Sequence, residues 1–214
     1  VGQHVSDSTK KDIAKELNVI TQEIAEVKDN PDELAYEKFY SLAYPDQSLG
    51  RSILGSVDSI AKFEKSSFID YMSRHYHLDN IVISIAGKVG HNQAINIVEE
   101  LFSSFSTKEG MTAKKSQYVG GRDVHVKELE QTTIALGFEG VSYSNLDEFY
   151  HAHILSVIFG GGLSSRLFQR IREDLGLVYS IGSWLNSYSD SGIFSIYAST
   201  DHSNASKVLF EVKN

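Results

Sequence analysis

No cysteine occurs among the 214 residues, which excludes a disulfide scaffold, a thiolate nucleophile and a cysteine-based zinc site. That usage fits a reducing compartment. No apolar run approaches the roughly 18 residues a membrane helix needs, and the opening Val1-Gly-Gln-His has no signal-peptide character. A basic patch is missing as well. The 28 acidic residues outnumber 20 lysines and arginines for a net charge of −8, and Lys114-Lys115 is the densest positive spot in its neighbourhood. This balance disfavours nucleic acid and anionic membranes as partners, because neither attracts an acidic surface. Neither a Gly-x-Gly-x-x-Gly fingerprint nor a Walker Gly-Lys-Ser/Thr is present.

What is there is ordinary for a soluble globular chain: 41% hydrophobic and 22% charged residues. The length suits one large domain or two small ones. Ile13, Leu17, Ile20, Ile24 and Val27 recur at helical spacing, and Asn30-Pro31-Asp32 ends that helix. A second helix carries Leu34, Tyr36, Phe39, Tyr40 and Ala43. After the loop Ser48–Gly55 come short helical pieces, through Lys62 and from Ser67 to Tyr76. A buried strand is expected over Asn80–Gly87 and a helix over Asn92–Phe102. Residues 103–121 form the one long polar stretch, a natural boundary. Beyond it, the alternation predicts strands over Asp123–Leu129 and Thr132–Phe138. Helices follow over Leu146–Ile158 and from Ser164 or Ser165 to Leu175, with Gly176 in the C′ position. Strands over Val178–Asn186 and Gly192–Thr200 lead into a last helix. This is an α+β pattern with a largely antiparallel sheet. The chain does not begin with Met, and the helix-like Asn204–Asn214 lacks a clear downstream cap, so the sequence reads as a piece of a longer protein.

Four sets of residues carry chemistry worth weighing. Glu16 and Glu23 are seven residues apart, nearly two full turns, so they share one helix face about 10.5 Å apart along the axis. That distance suits one metal ligand and one supporting acid, or two solvated carboxylates. Eight histidines occur, yet none makes His-Glu-x-x-His or the inverted His-x-x-Glu-His. His75/His77 and His151/His153 are spaced by two, which turns their rings to different faces of a helix. Gly160-Gly-Gly162 opens a helix, which is either a phosphate cradle or a tight helix-to-helix turn. Arg172 and Tyr179, again seven apart, flank the Gly176 turn. A guanidinium fork and a phenol there can hold a peptide carbonyl or an oxyanion, or simply face solvent.

Taken together, the segments Glu16-Leu-Asn-Val-Ile-Thr-Gln-Glu-Ile24 with Asp29-Asn-Pro31, Leu49-Gly-Arg-Ser-Ile-Leu-Gly55, Tyr76 with Asp79–Val89, and Phe159–Ile181 closely resemble the pitrilysin/insulinase family of zinc metallopeptidases. These are inverted-motif zincins, and the likeness is to the processing-peptidase branch. The resemblance covers almost the whole chain in order. It implies two related α+β domains: residues 1–105 as the later part of a zinc-bearing domain, 106–121 as linker, and 122–214 as the first part of a second domain bearing the Arg/Tyr pair. Glu23 then matches the glutamate zinc ligand and Glu16 the supporting acid near the metal. Arg172 and Tyr179 match the pair that binds substrate backbone and the tetrahedral intermediate.

The activity implied is zinc-dependent hydrolysis of extended or unfolded peptides, with a homodimer, or a heterodimer with a family paralogue, as the working assembly. The setting implied is a bacterial cytoplasm or periplasm, with an organellar matrix as the alternative. The departure is that the His-x-x-Glu-His segment, expected before Glu16, is absent, and one carboxylate makes no competitive zinc site. The chain as given is therefore expected to bind no catalytic zinc and to hydrolyse nothing. A non-catalytic structural or substrate-recognising subunit of the same family is the alternative.

Overall fold

The computed structural model describes residues 10–105 and 114–214. In chain order these form α1 (Lys10–Asp29), α2 (Pro31–Ala43), α3 (Val57–Ile60), α4 (Lys65–His75), α5 (His91–Phe102), β1 (Thr132–Glu139), α6 (Leu146–Gly160), a π-helical segment (Phe168–Asp174), β2 (Ser180–Ser187), β3 (Gly192–Thr200) and α7 (Ala205–Lys213). The class is α+β with an antiparallel sheet. The break between α1 and α2 has a local cause. Asn30 Oδ1 accepts hydrogen bonds from the Asp32 and Glu33 backbone N–H groups at 3.1 and 3.4 Å, and Pro31 takes the first helical position, where its missing N–H is no loss.

By contacts the chain divides into two compact units, Val1–Thr21 with Val57–Lys114, and Gln22–Ser56 with Lys115–Asn214. The second is built on a three-stranded sheet of order β1-β3-β2. Both pairings are antiparallel, with Leu136 opposite Ile196 and Ile181 opposite Ala198. The side-chain period of two sends Ile181, Ile196 and Ala198, with Ile134 and Leu136, to one face, where they meet Leu167, Ile171, Leu177, Val178 and Val208. Ile193 points to the other face and packs with Tyr40, Ala43 and Tyr44 of α2 and the residue following it. Tyr44 is fully buried and donates its hydroxyl hydrogen to the Gly192 carbonyl at 2.9 Å.

Helix α6 lies on β2 through small residues. Ser156 and Ser183 exchange hydroxyl-to-carbonyl hydrogen bonds at 3.2 and 2.9 Å. A Cβ on Gly160 would stand 2.4 Å from the Ser183 nitrogen, so only glycine allows this approach.

The first unit has no strand among its described residues. Residues 80–87, expected as a buried strand, contain a 3₁₀ turn ending at Asn80 and then a segment with no ladder partner. Val82 is 95% exposed there. The apolar run is a local property, but a strand exists only with a partner to bond. The expectation over Asp123–Leu129 fails for the same reason: the segment joins no ladder and Val126 is 88% exposed. The helix expected to reach Leu175 is present, but it is wound as a π-helix over Phe168–Asp174.

Candidate functional site

The best-defined constellation lies at one stretch of the second unit, between the π-helical segment and the end of β3. Arg172 sits on that segment, with its guanidinium 4.8 Å from the centre of the Phe168 ring, a cation–π contact across one turn. Its side chain is exposed and has no carboxylate partner among the described residues. The helix ends at Gly176, whose φ of 59° is left-handed. Gly176 N–H bonds to the Arg172 carbonyl at 3.1 Å and Leu177 N–H to the Ile171 carbonyl at 3.0 Å. Each of these bonds spans one residue more than its counterpart in an α-helical Schellman cap, as a π-wound end requires. Nearby, Arg170 on the same segment pairs with Glu211 of α7 at 3.4 Å.

The chain is then pinned before it reaches Tyr179. Leu177 and Val178 are buried in the larger core cluster, and the Thr200 hydroxyl donates to the Leu177 carbonyl at 2.5 Å. Tyr179 N–H bonds to the Ser199 carbonyl at 2.8 Å, which starts the pairing of β2 with β3. The phenol is half exposed and donates to Asp201 Oδ1 at 2.9 Å. This hydrogen bond, then the Asp201 charge, hold the Tyr179 pKa above its ordinary value. Beside it the His202 ring bridges the Thr132 hydroxyl at 2.5 Å and the Leu129 carbonyl at 2.6 Å. Arg172 and Tyr179 thus flank one turn, and no contact joins them among the described residues. Asp201 is the residue that sequence reasoning missed. Its signal lies in the register that puts Ser199 opposite Ser180, which no local pattern shows.

The other sequence-derived sites resolve more plainly. Glu16 and Glu23 both lie on α1 and both are exposed. Among the described residues no group of three His, Cys, Asp or Glu is placed to hold a metal. His77 is buried, its Nε2 3.0 Å from Asn80 Nδ2. His153 stacks on Phe149 with ring centres 5.9 Å apart, so neither histidine pair gathers ligands. Gly160–Gly162 makes a helix-to-helix turn in which Ser165 N–H bonds to the Gly162 carbonyl at 3.0 Å. On the sheet face that α2 partly covers, a recess of ≈ 340 Å³ is lined by Tyr36, Phe39, Trp184 and Tyr197 over Ala135 and Ser195.

Comparison with known proteins gives this geometry a setting. Residues 62–214 match the peptidase M16 inactive domain. A Rickettsia felis protein named as an uncharacterized zinc protease is 48% identical over 204 residues, covering 95% of this chain and 50% of the relative. A Bacillus subtilis protein named in the same way is 36% identical over 192 residues, with 89% and 46% covered. The chain thus spans about half the length of the curated relatives it matches. Among solved structures, a peptidase M16 inactive domain from Pseudomonas fluorescens superposes with a TM-score of 0.88 at 20% identity, over 95% of this chain and 50% of that one. A protease from Helicobacter pylori gives 0.80 at 17% identity, over 95% and 52%. At these identities the structures establish the fold.

Proposed function

The chain belongs to the M16 peptidase family, and on that premise we propose that it is part of a peptidase acting on extended or unfolded peptides, to which it contributes the substrate-holding side. The observation that carries this reading is the pair Arg172 and Tyr179, both exposed and both fixed by the capped turn at Gly176. Arg172 offers a fork of donors to a peptide carbonyl, and the phenol supplies a second polar contact. Held in this way, an extended backbone is presented at a fixed register, and positioning of that kind supplies much of an enzyme's advantage. The proposed division of labour follows the family domains, with residues 122–214 carrying the pair and 1–105 belonging to the zinc-bearing side.

Zinc enters this reading through the family and the names of the relatives. Glu23, the proposed ligand, and Glu16, the proposed supporting acid, are exposed carboxylates on α1, with no convergent histidine among the described residues. Bound to a complete site, zinc would supply an activated water, and its remaining ligands and base would come from outside this chain. The family alternative is a non-catalytic structural or substrate-recognising subunit; the description of residues 62–214 as an inactive domain concerns that domain and fits either reading.

Zinc content and peptide cleavage test both readings. The purified 214-residue chain is expected to carry no stoichiometric zinc and to cleave nothing. The full-length protein is expected to do both, and Arg172→Ala there should raise KM about tenfold, the loss of one charge-assisted hydrogen bond. Full-length protein that binds no zinc and cleaves no peptide would leave the non-catalytic subunit as the answer.

A further inference from the structure

Burial along α1 is uneven. Before Ile24 every side chain of the helix is exposed or half-buried, and Ile24, next to Glu23, is its one buried residue. The last turns of α1 also fall, with α2, in the compact unit that holds the sheet, Gln22–Ser56 with Lys115–Asn214. Polar ties to that sheet and its approach gather around the elbow at Asn30. Asp32 Oδ1 accepts the Thr133 hydroxyl hydrogen from β1 at 2.9 Å and the Tyr197 hydroxyl hydrogen from β3. Lys127 Nζ donates to the Lys28 carbonyl at 3.2 Å, in the last turn of α1, where a helix leaves its carbonyls without internal partners.

We infer that Asp32 is a positioning residue for Glu23: by clamping the α1–α2 elbow to β1 and β3, it sets where the Glu23 carboxylate stands relative to the sheet whose strand β2 follows Tyr179. This rests on the reading of Glu23 as a zinc ligand and says what holds that ligand in place.

Three features let the clamp reach Glu23. The elbow is stiff, because one residue joins the two helices: Asn30 caps α2 through its side chain, and Pro31 fixes the first helical φ. The two donors come from adjacent paired strands, with Thr133 opposite Ser199 and Ala135 opposite Tyr197, so their spacing follows the register of the sheet. The Glu23 carboxylate is exposed and has no hydrogen bond or ion pair of its own among the described residues. Its place is therefore that of the helix, and Lys28 is only about 7.5 Å further along the axis. A metal–ligand distance tolerates about 0.2 Å, so a helix free to rock at its elbow would hold a ligand too loosely.

The full-length protein tests this with zinc, and with cobalt(II) as its spectroscopic substitute. Zinc dissociation constants are measured by competition with a chromophoric chelator for wild type, Glu23→Gln, Asp32→Ala, Asp32→Asn, Tyr197→Phe and Val208→Ala. Asp32→Ala should weaken zinc about tenfold, the lower end of what losing an outer support of a ligand costs, and should shift the cobalt d–d absorption. Tyr197→Phe removes one of the two donors and should weaken zinc about threefold. Asp32→Asn keeps an oxygen for both hydroxyls and should restore most of the affinity. Val208→Ala opens the larger core cluster without touching the elbow, and should leave the cobalt spectrum as in wild type. A metal-free readout is amide hydrogen exchange over residues 23–29, which should quicken about tenfold in Asp32→Ala and not in Asp32→Asn.

The failures are separable. If the full-length protein binds no zinc, or Glu23→Gln binds it as wild type does, Glu23 is no ligand and the inference falls with that reading. If Glu23→Gln weakens zinc while Asp32→Ala keeps the affinity, spectrum and exchange of wild type, the ligand stands and the inference alone falls. A cobalt shift in Val208→Ala equal to that in Asp32→Ala would assign the effect to general loosening and overturn it as well.

Discussion

The two units of this chain put similar sequence patterns to different ends. In the second, apolar residues at strand spacing find ladder partners, and the sheet packs a core on one face and is partly covered on the other, with Ile171, Ile193 and Val208 at 1%, 0% and 0% exposure. In the first, the helices form where their periodicity says, yet Ile60 is the one buried apolar side chain among the described residues. Ile95, Ile97 and Leu101 of α5 and Val82, Ile83 and Ile85 before it all face solvent, at 40–95% exposure. A helix completes its backbone hydrogen bonds internally, so it can form before its apolar face is covered. A strand cannot. The difference separates what a local pattern can build from what needs the rest of a core.

Matched core truncations give the widest separation between the units. Ile171→Ala, at a site 1% exposed, should cost about 2–5 kcal/mol, the usual loss for a fully enclosed aliphatic chain. Ile97→Ala, at a site 45% exposed, should stay within about 1 kcal/mol. Urea unfolding is followed by the single tryptophan, Trp184 on β2, for the second unit and by far-ultraviolet circular dichroism for the helices of the first. Equal losses from the two substitutions would mean that α5 is covered as fully as the sheet, and the contrast between the units would fail.

Gly160→Ala sharpens the comparison at one seam. The added methyl would meet the Ser183 backbone nitrogen at 2.4 Å and its hydroxyl at 2.6 Å, in the place where Ser156 and Ser183 exchange hydrogen bonds. Backbone cannot rotate away as a side chain can, so a loss of about 1–3 kcal/mol is expected. No loss in urea unfolding would show that α6 is free to lift from β2.

How much of this could be read from sequence follows the same division. Helix α1 and its break at Asn30 were legible because both rest on neighbours within four residues, as were α6 and the paired strands β1 and β3. The segment 81–86 misled because its apolar run carries no information about a partner. The π winding of Phe168–Asp174 was not legible, since Gly176 announces a helix end without saying how wide the last turns are. For the candidate site, Arg172 and Tyr179 came from spacing and resemblance. Asp201 came only from register, being 22 residues from Tyr179 in the chain. Glu16 and Glu23 were correctly placed on one helix, and their part in a metal site stays a proposal.

The shifted phenols give the finest test, because Tyr40, Tyr44, Tyr118, Tyr179 and Tyr197 all belong to the second unit. Tyr197 is the most tractable. Burial, then its hydrogen bond to Asp32, push its pKa up to about 12 from 10.0, and the Thr133 hydroxyl shares the same Asp32 oxygen at 2.9 Å. Because the folded value lies above the unfolded one, the folded state holds the proton longer. The contribution to stability is complete below pH ~10 and is lost as pH rises toward ~12. Allowing for its partial exposure, the loss is on the order of 1 kcal/mol. Trp184, with its ring 6.5 Å from that of Tyr197, reports the change directly. Tyr197→Phe should lower stability slightly at neutral pH, where the bond to Asp32 is gone, and should flatten the fall between pH 10 and 12 without abolishing it, since Tyr40 and Tyr44 are raised by burial too. A variant whose alkaline profile parallels wild type would show that the Asp32–Tyr197 contact does not hold α2 against the sheet, and the second unit would then owe its order to its apolar core alone.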